Sequence, residues 1–457
     1  MPRTDDRQLA RVLLELGRVN PFLPERRGWE RRALGDRYVA DGPLGGPDDP
    51  NDEQIALVAE EVVDRLRRRL LHTGPSPEDR ELYGAAVFMA LYHRHAPSTP
   101  PPGDQGEPAA PEYPRFVADF ERLFSVCGPP DPTVDTPEHL FACFWQIRRA
   151  YAAIFSTIIG ASSPVVRLRA AVWQSVFSFD AVRYRRMLFR AMPDIPTLVT
   201  GPTGTGKELV ARAIGLSGYV PFDARERRFA HPPTFLPLNL QALSSSLVES
   251  ELFGHRKGSF TGAIADRDGW LAVCPRGGTV FLDEIGELDP LLQVKLLRVL
   301  DDRTFTPVGD TRPKRFAGKI VAATNRDLPA MIGEGTFRAD LYYRLCGDRV
   351  VAPSLRERLD ADPAERGRVL AALLGRWIDR SQVPEVVAEV EAEIGRSRGP
   401  AWPWPGNVRE LAQCARNVLV QGTCGPPEPL GRGGPADAAG RDPDGPPADD
   451  PSLAAVT

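Results

Sequence analysis

The residues of this chain best suited to chemistry begin with Gly201-Pro202-Thr203-Gly204-Thr205-Gly206-Lys207. Glycines at 201, 204 and 206 let backbone N–H groups turn inward around phosphate oxygens, and the lysine brings a compact charge to β and γ phosphates. A short apolar strand, Thr197 to Thr200, runs into the loop and the helical ELVARAI leaves it, so the positive end of a helix faces the same anion. This is a Walker A pattern, and it assigns Gly201, Gly204, Thr205, Gly206, Lys207 and Glu208 to nucleotide binding. Glu208 stands where such loops usually carry the Ser or Thr that holds Mg2+, so the cation must be held chiefly elsewhere. The run Gly278-Thr279-Val280-Phe281-Leu282 reads as a buried strand ending in Asp283-Glu284. A carboxylate pair at such a strand end suits a metal ligand followed by a general base. Asp283 is therefore assigned to Mg2+, directly or through water, and Glu284 to activating an attacking water.

These residues need a sheet to bring them together. Short β-branched or apolar runs at Thr197 to Thr200, Phe235 to Asn239, Thr279 to Leu282 and Ile320 to Ala323 alternate with helical patterns. That alternation predicts an α/β core, a parallel sheet covered by helices, over residues 159–352. Beyond Pro353 helical patterns return, as at Val369, Leu373, Leu374, Trp377 and Ile378, and predict a helical lid over 353–422. Residues 1–158 read as mostly helical and carry no recognisable chemistry. Within them Ile55, Val58, Val62, Leu66 and Leu70 recur at helical spacing, and a second apolar helix is predicted over Leu82 to Tyr92. Thr136-Pro137 reads as an N-cap and first helical position of a helix running toward Ile158. Residues 41–53 and 95–114 are rich in turn formers and read as linkers or long loops, and 423–457 are too poor in large apolar residues to offset chain-ordering entropy and are predicted to be disordered.

Composition narrows the function classes. The chain has 457 residues and a net charge of -4, which argues against coating nucleic acid or an anionic membrane through a basic surface. Of its 57 basic residues only Lys207, Lys257, Lys295, Lys314 and Lys319 are lysine, so a lysine in the phosphate loop meets a specific need for a point charge on a flexible stem. The apolar stretch from Leu140 to Ile159 carries Arg148 and Arg149 near its centre, which a bilayer would penalise, so no membrane span is expected there. The first residues have no signal-peptide core. The 6 cysteines lie far apart with no C-x-x-C pair, neither a disulfide framework nor a zinc signature, and a reducing cytoplasmic location is expected.

Several ordered blocks, GPTGTGKELVARAI, ESELFGHRKGSFTGA, GGTVFLDEIGEL, ATNRDLPAMIGEGTFRADLYYRL, PSLRER and WPGNVREL, make about residues 159–420 resemble the AAA+ P-loop NTPase domain of bacterial sigma-54-dependent transcription activators. A phosphate loop ending in Lys-Glu is normal in that family, which accounts for Glu208. The resemblance implies ATP hydrolysis with Mg2+ in a homo-oligomeric ring, a hexamer, that contacts the sigma-54 factor and RNA polymerase. It places Phe260 and Thr261 at the tip of a sigma-contacting loop, where Ser259 replaces the family's alanine. It makes Asn239 the partner of Glu284, Thr324 and Asn325 the sensor of the γ-phosphate or water, and Arg409 the nucleotide-sensing arginine of the lid. Arg338 and Arg344 would reach the ATP of the neighbouring subunit, where a planar guanidinium suits developing phosphate charge.

The chain after Val420 lacks the apolar periodicity of a helix-turn-helix, so direct specific DNA binding from that end is not expected. Two rival readings remain at this level. One is an AAA+ ATPase that remodels a different protein through a diverged loop. The other is a non-hydrolysing nucleotide-binding scaffold, against which Lys207, Asp283, Glu284, Arg338 and Arg344 all speak.

Overall fold

The computed structural model describes residues 6–40, 49–95, 110–231, 233–399 and 401–425. The expectations of a disordered tail and of no DNA-binding helix pair fall mostly beyond residue 425, outside the described residues.

Among the described residues, seven long helices precede the sheet: α1 (Asp6–Arg18), α2 (Glu25–Leu34), α3 (Pro50–Thr73), α4 (Pro77–His95), α5 (Tyr113–Phe124), α6 (Pro137–Thr157) and α7 (Ser163–Phe177). The apolar stripe Ile55, Val58, Val62, Leu66 and Leu70 is the buried face of α3, which starts where Asp49 accepts from Asn51 N–H at 2.9 Å and Pro50 fills the first turn. Helix α6 opens as its sequence suggests, with Thr136 Oγ1 accepting from His139 N–H at 3.3 Å. Its two arginines pack on aromatic rings, Arg148 over Tyr92 at 5.7 Å from the centroid. Arg149 lies over the Trp145 ring, 4.0 Å from the centroid, and donates to the carbonyls of Leu216 at 3.0 Å and of Gly218. Those carbonyls follow the C-terminus of α8 (Lys207–Gly215), the helix behind the phosphate loop, so a cation sits at the negative end of its dipole. Among the described residues no helix is long and apolar enough to cross a membrane.

The main sheet has five parallel strands, numbered here by themselves: β1 (Thr197–Thr200), β2 (Phe235–Asn239), β3 (Thr279–Asp283), β4 (Lys319–Thr324) and β5 (Asp348–Val351), in the order β5-β1-β4-β3-β2. Successive residues face opposite layers. Leu198, Leu282, Ile320 and Ala322 join a core with Leu292, Leu296, Leu341 and Leu345 on one side. Val199, Phe281, Val321 and Ala323 pack on the other side against α7 and the inner face of α8. This is the parallel sheet covered by helices that the alternation of strand and helix patterns predicts. Strand β5 was not among the sequence-predicted strands because only Val350 of its four residues is buried, too short a pattern to read.

Four helices, Leu355–Ala361, Glu365–Leu374, Val383–Ser397 and Asn407–Gln421, build the lid around Leu370, Leu374, Ile394, Leu411 and Val418. The helical pattern read through Ile378 stops at Leu374, where the chain turns at Gly375, and Trp377 and Ile378 pack onto the lid core from that turn. One cysteine expectation is corrected. Cys414 and Cys424 form a disulfide across the C-terminal end of the last lid helix, because the turn after Gln421 folds the chain back onto it. The other four cysteines are free thiols.

Two buried polar clusters tie the lid to the rest. Glu365, fully buried, accepts from Ala161 N–H at 2.8 Å and Ser162 N–H at 3.2 Å and pairs with Arg358 at 2.9 Å, while Arg358 also donates to Ile159 O at 2.7 Å. Gly160 has φ +126° here, and a Cβ at that position would lie 1.9 Å from Glu365 Oε1. In the second cluster, Asn407 at the start of the last lid helix donates to Thr203 O at 2.9 Å and accepts from Leu355 N–H at 2.8 Å. Beside it, Val408 N–H donates to Gly204 O at 3.0 Å.

Burial by itself would raise the Glu365 carboxyl, but the Ala161 N–H, Arg358 and the Ser162 N–H together hold it below the ordinary range. Glu365→Ala leaves Arg358 unpaired and should cost about 3–5 kcal/mol in urea unfolding at pH 7. Because the folded-state pKa is depressed, this contribution is complete above the unfolded value of about 4.3 and should vanish as pH falls through the lower folded value. Asn407→Ala strands the buried Leu355 N–H and releases the carbonyl of the exposed Thr203, and should cost about 1–3 kcal/mol, with faster amide exchange at Leu355.

Candidate active site

Strands β1, β3 and β4 are neighbours, and their C-terminal ends deliver the chemistry to one cleft. Thr200 lies opposite Thr324 in the register, and Asn239 opposite Asp283. The cleft, of about 720 Å³, is bordered by the loop from Thr203 to Glu208, by Asn239, Asp283, Glu284 and Asn325, and by Arg409 of the lid. Gly201, Gly204 and Gly206 have φ of +149°, +78° and +91°, as the phosphate-cradle reading requires. At Gly204 a side chain is excluded by contact as well, since a Cβ would lie 2.2 Å from Gly406 O.

Lys207 is buried and donates to Gly201 O at 3.1 Å and Pro202 O at 3.3 Å, so its ammonium is held across the mouth of its own loop. Burial lowers its pKa, against the opposing pull of Glu284 and Asp283. Asp283 is shifted the other way: burial raises its carboxyl despite the Glu284 N–H at 3.1 Å and the nearby Lys207. A half-buried carboxylate destabilised in this way is a good place for a divalent cation, which would remove the cost of its charge. Glu284 sits in the left-handed region at φ +55°, a conformation uncommon for a non-glycine residue, which turns its side chain toward the loop side of the sheet. Its Oε2 accepts from Asn325 N–H at 3.3 Å.

Asn325 donates from Nδ2 to Thr203 Oγ1 at 2.6 Å, linking the end of β4 to the phosphate loop. Thr324 is buried and its hydroxyl accepts from Arg326 N–H at 3.0 Å, so it shapes the turn and does not face the cleft. Asn239 departs from the expected pairing with Glu284. Its Oδ1 instead accepts from the N–H groups of Gln241 and Ala242, at 3.0 and 3.1 Å, because β2 ends there and the turn needs an acceptor. Thr205 Oγ1 donates to Pro202 O at 2.9 Å and braces the loop, and Glu208 is exposed at the rim.

Arg338 and Arg344 do not border this cleft. Arg338 is exposed and paired with Asp340 at 2.7 Å, and Arg344 is exposed and paired with Asp301 at 2.5 Å. Phe260 and Thr261 lie at the exposed tip of a hairpin whose base is the pairing of Gly254–His255 with Arg267–Asp268, and the Phe260 ring packs on that of His255, with centroids 5.0 Å apart. Gly258 and Gly262, at φ +81° and +105°, flank the tip, and Gly258 N–H donates to Ala263 O at 2.8 Å. Phe260 is 40% exposed and Ile264 85% exposed, an apolar pair presented to solvent. Arg256 bridges Asp266 at 2.8 Å and Asp310 at 2.6 Å, anchoring the hairpin to the body.

Sequence reasoning missed the apolar end of the cleft. Ile158, Ile159, Val165 and Leu168 face Val369 and Leu373 of the lid across it, a slot suited to a flat heterocyclic base. Their types and spacing do not differ from those of ordinary core residues, so no sequence signal could have singled them out.

Residues 181–350 match the family model described as the sigma-54 interaction domain. Among curated proteins, the chain is similar to the anaerobic nitric oxide reductase transcription regulator NorR of Klebsiella pneumoniae, 42% identical over 264 residues that make up 58% of this chain and 45% of that protein. It is 45% identical over 227 residues to the hydrogenase transcriptional regulatory protein HoxA of Bradyrhizobium diazoefficiens, covering 50% and 43% of the two chains. It is 39% identical over 236 residues to the DNA-binding transcriptional regulator NtrC of Azospirillum brasilense, covering 51% and 45%. The chain thus spans less than half the length of each of these relatives. Over residues 181–350 it carries the sigma-54 interaction domain of the sigma-54-dependent transcription regulators.

Proposed function

We propose that this chain is an ATP-hydrolysing transcription regulator that remodels the sigma-54 RNA polymerase complex through the hairpin bearing Phe260 and Thr261. The observation that carries this reading is the convergence of Lys207, Asp283, Glu284 and Asn325 on one cleft closed by a lid that bonds directly to the phosphate loop. Triphosphate oxygens would lie among the N–H groups of residues 203–207, where they replace the carbonyls that Lys207 now contacts. Mg2+ held by Asp283 would neutralise charge on the β and γ phosphates. Glu284 is the acceptor for the proton of the attacking water, and its bond to Asn325 N–H sets the direction of its carboxylate. Asn325 is bonded to Thr203, so loss of the γ-phosphate at the loop alters the position of the base.

Arg338 and Arg344 complete the reading. Both are exposed and neither borders the cleft of its own chain, which supports action on the nucleotide of a neighbouring copy in a ring, a hexamer as the resemblance implies. Each would exchange its present carboxylate partner for phosphate charge developing in the transition state. The cytoplasm is the compartment in which that polymerase would be met.

Glu284→Gln should abolish phosphate release while equilibrium binding of a fluorescent ATP analogue stays within about two-fold, since only the proton acceptor is lost. Arg338→Ala should lower turnover by about 10³-fold or more, and an equimolar mixture with Lys207→Ala should regain part of the rate if the arginine acts between subunits. Phe260→Ala should leave ATP hydrolysis intact and lose capture of purified sigma-54 in the presence of ADP and aluminium fluoride. A wild-type protein that hydrolyses ATP but does not retain sigma-54 would reject the remodelling half.

A further inference from the structure

A second cavity, of about 180 Å³, lies away from the nucleotide cleft between the N-terminal helices and the helices that back the sheet. Leu13 and Leu16 of α1, Ala85 and Phe88 of α4, Ile147 of α6 and Trp173 of α7 are among its walls. This space exceeds the roughly 150 Å³ of an apolar cavity known to stay dry and take up benzene.

Most of the charged groups around it already face partners within the protein. Arg26 bonds Glu30 at 2.6 Å and faces Asp52 at 3.5 Å, and Arg185 is paired with the buried Asp135. Glu81 has Arg18 at 3.6 Å and Arg186 at 3.9 Å. Burial pushes His93 down to about 4, so its imidazole is neutral at physiological pH. Burial also raises the Asp52 carboxyl to about 6 despite Arg26, so these surroundings disfavour charge, and with walls that are mostly apolar side chains the cavity favours a neutral ligand.

Its inner wall is also part of the ATPase core. Trp173 and Phe177 of α7, and Tyr184, share one hydrophobic cluster with Val199 of β1 and Val210 and Ala211 of α8. Tyr184 begins a π-helical turn, Tyr184–Leu188, an irregularity found most often at functional sites. Its hydroxyl bonds Gln146 at 3.0 Å, and Gln146 donates to Ser217 O at 2.9 Å, just past the end of α8. The same wall therefore touches the elements entering and leaving the phosphate loop.

We propose that this cavity is a binding site for a small neutral ring compound, and that Trp173, Phe177 and Tyr184 pass its occupancy to the phosphate loop. The second half rests on the nucleotide-binding reading above, whereas the first does not. Benzene is the probe, titrated into the full chain by calorimetry and, separately, during binding of a fluorescent ADP analogue. Saturable one-to-one binding is expected, with a change of about five-fold or more in ADP affinity. Ala85→Phe, which fills the cavity, should remove both effects and leave ADP affinity without benzene unchanged. Should that variant lose its helical circular dichroism, Val182→Phe fills the space from another wall. Absence of saturable benzene binding, or equal binding by a folded filled variant, overturns the site. Benzene binding with unaltered ADP affinity overturns the coupling. Failure to bind ADP at all would reject the nucleotide reading while leaving the benzene titration interpretable.

Discussion

The parallel pairing of β1, β4 and β3 is the constraint on which the rest of the molecule depends. Their backbone ladders leave little freedom in where each strand ends, and both faces of the strands are packed into apolar layers. A lysine at position 207, a carboxylate pair at 283 and 284 and a polar pair at 324 and 325 are thereby held at one edge. A shift of one residue in any of these strands would exchange its two faces and bury the wrong side chains, so the register that stabilises the core also aligns the chemistry.

The electrostatics of the cleft follow from that arrangement. Burial disfavours charge on Lys207 and on Asp283, and each partly offsets the cost borne by the other. The site therefore holds opposite charges close together in the absence of bound phosphate. The lid enters this balance through backbone groups: Asn407 and Val408 bond the carbonyls of Thr203 and Gly204, so a loop that rearranges around phosphate must carry the lid with it. The Glu365–Arg358 cluster holds the other end of the lid to the chain that borders the base slot.

The helices ahead of the sheet are joined to it by packing and by specific polar contacts. Helix α6 reaches the end of α8 through Arg149 and Gln146, and α7 lies in the same hydrophobic cluster as β1. The hairpin bearing Phe260 is attached differently, by the Arg256 bridges and a short antiparallel pair, which leaves its glycine-flanked tip exposed.

Local sequence determined what local physics can decide. Glycine spacing before Lys207 set the phosphate loop, the β-branched and apolar runs set four of the five sheet strands, and Thr136-Pro137 and the stripe on α3 set helix starts and faces. Each of these depends on neighbours within a few residues, through backbone conformation or side-chain periodicity. Tertiary structure alone decided the rest. Strand β5 is held by pairing with β1 more than by its own pattern, and the Cys414–Cys424 bond depends on a chain reversal that spacing does not announce. The base slot combines residues 158–168 with 369–373. Such features arise where segments far apart in the chain meet, and the free energy of those meetings is a property of the packed assembly, not of any one segment.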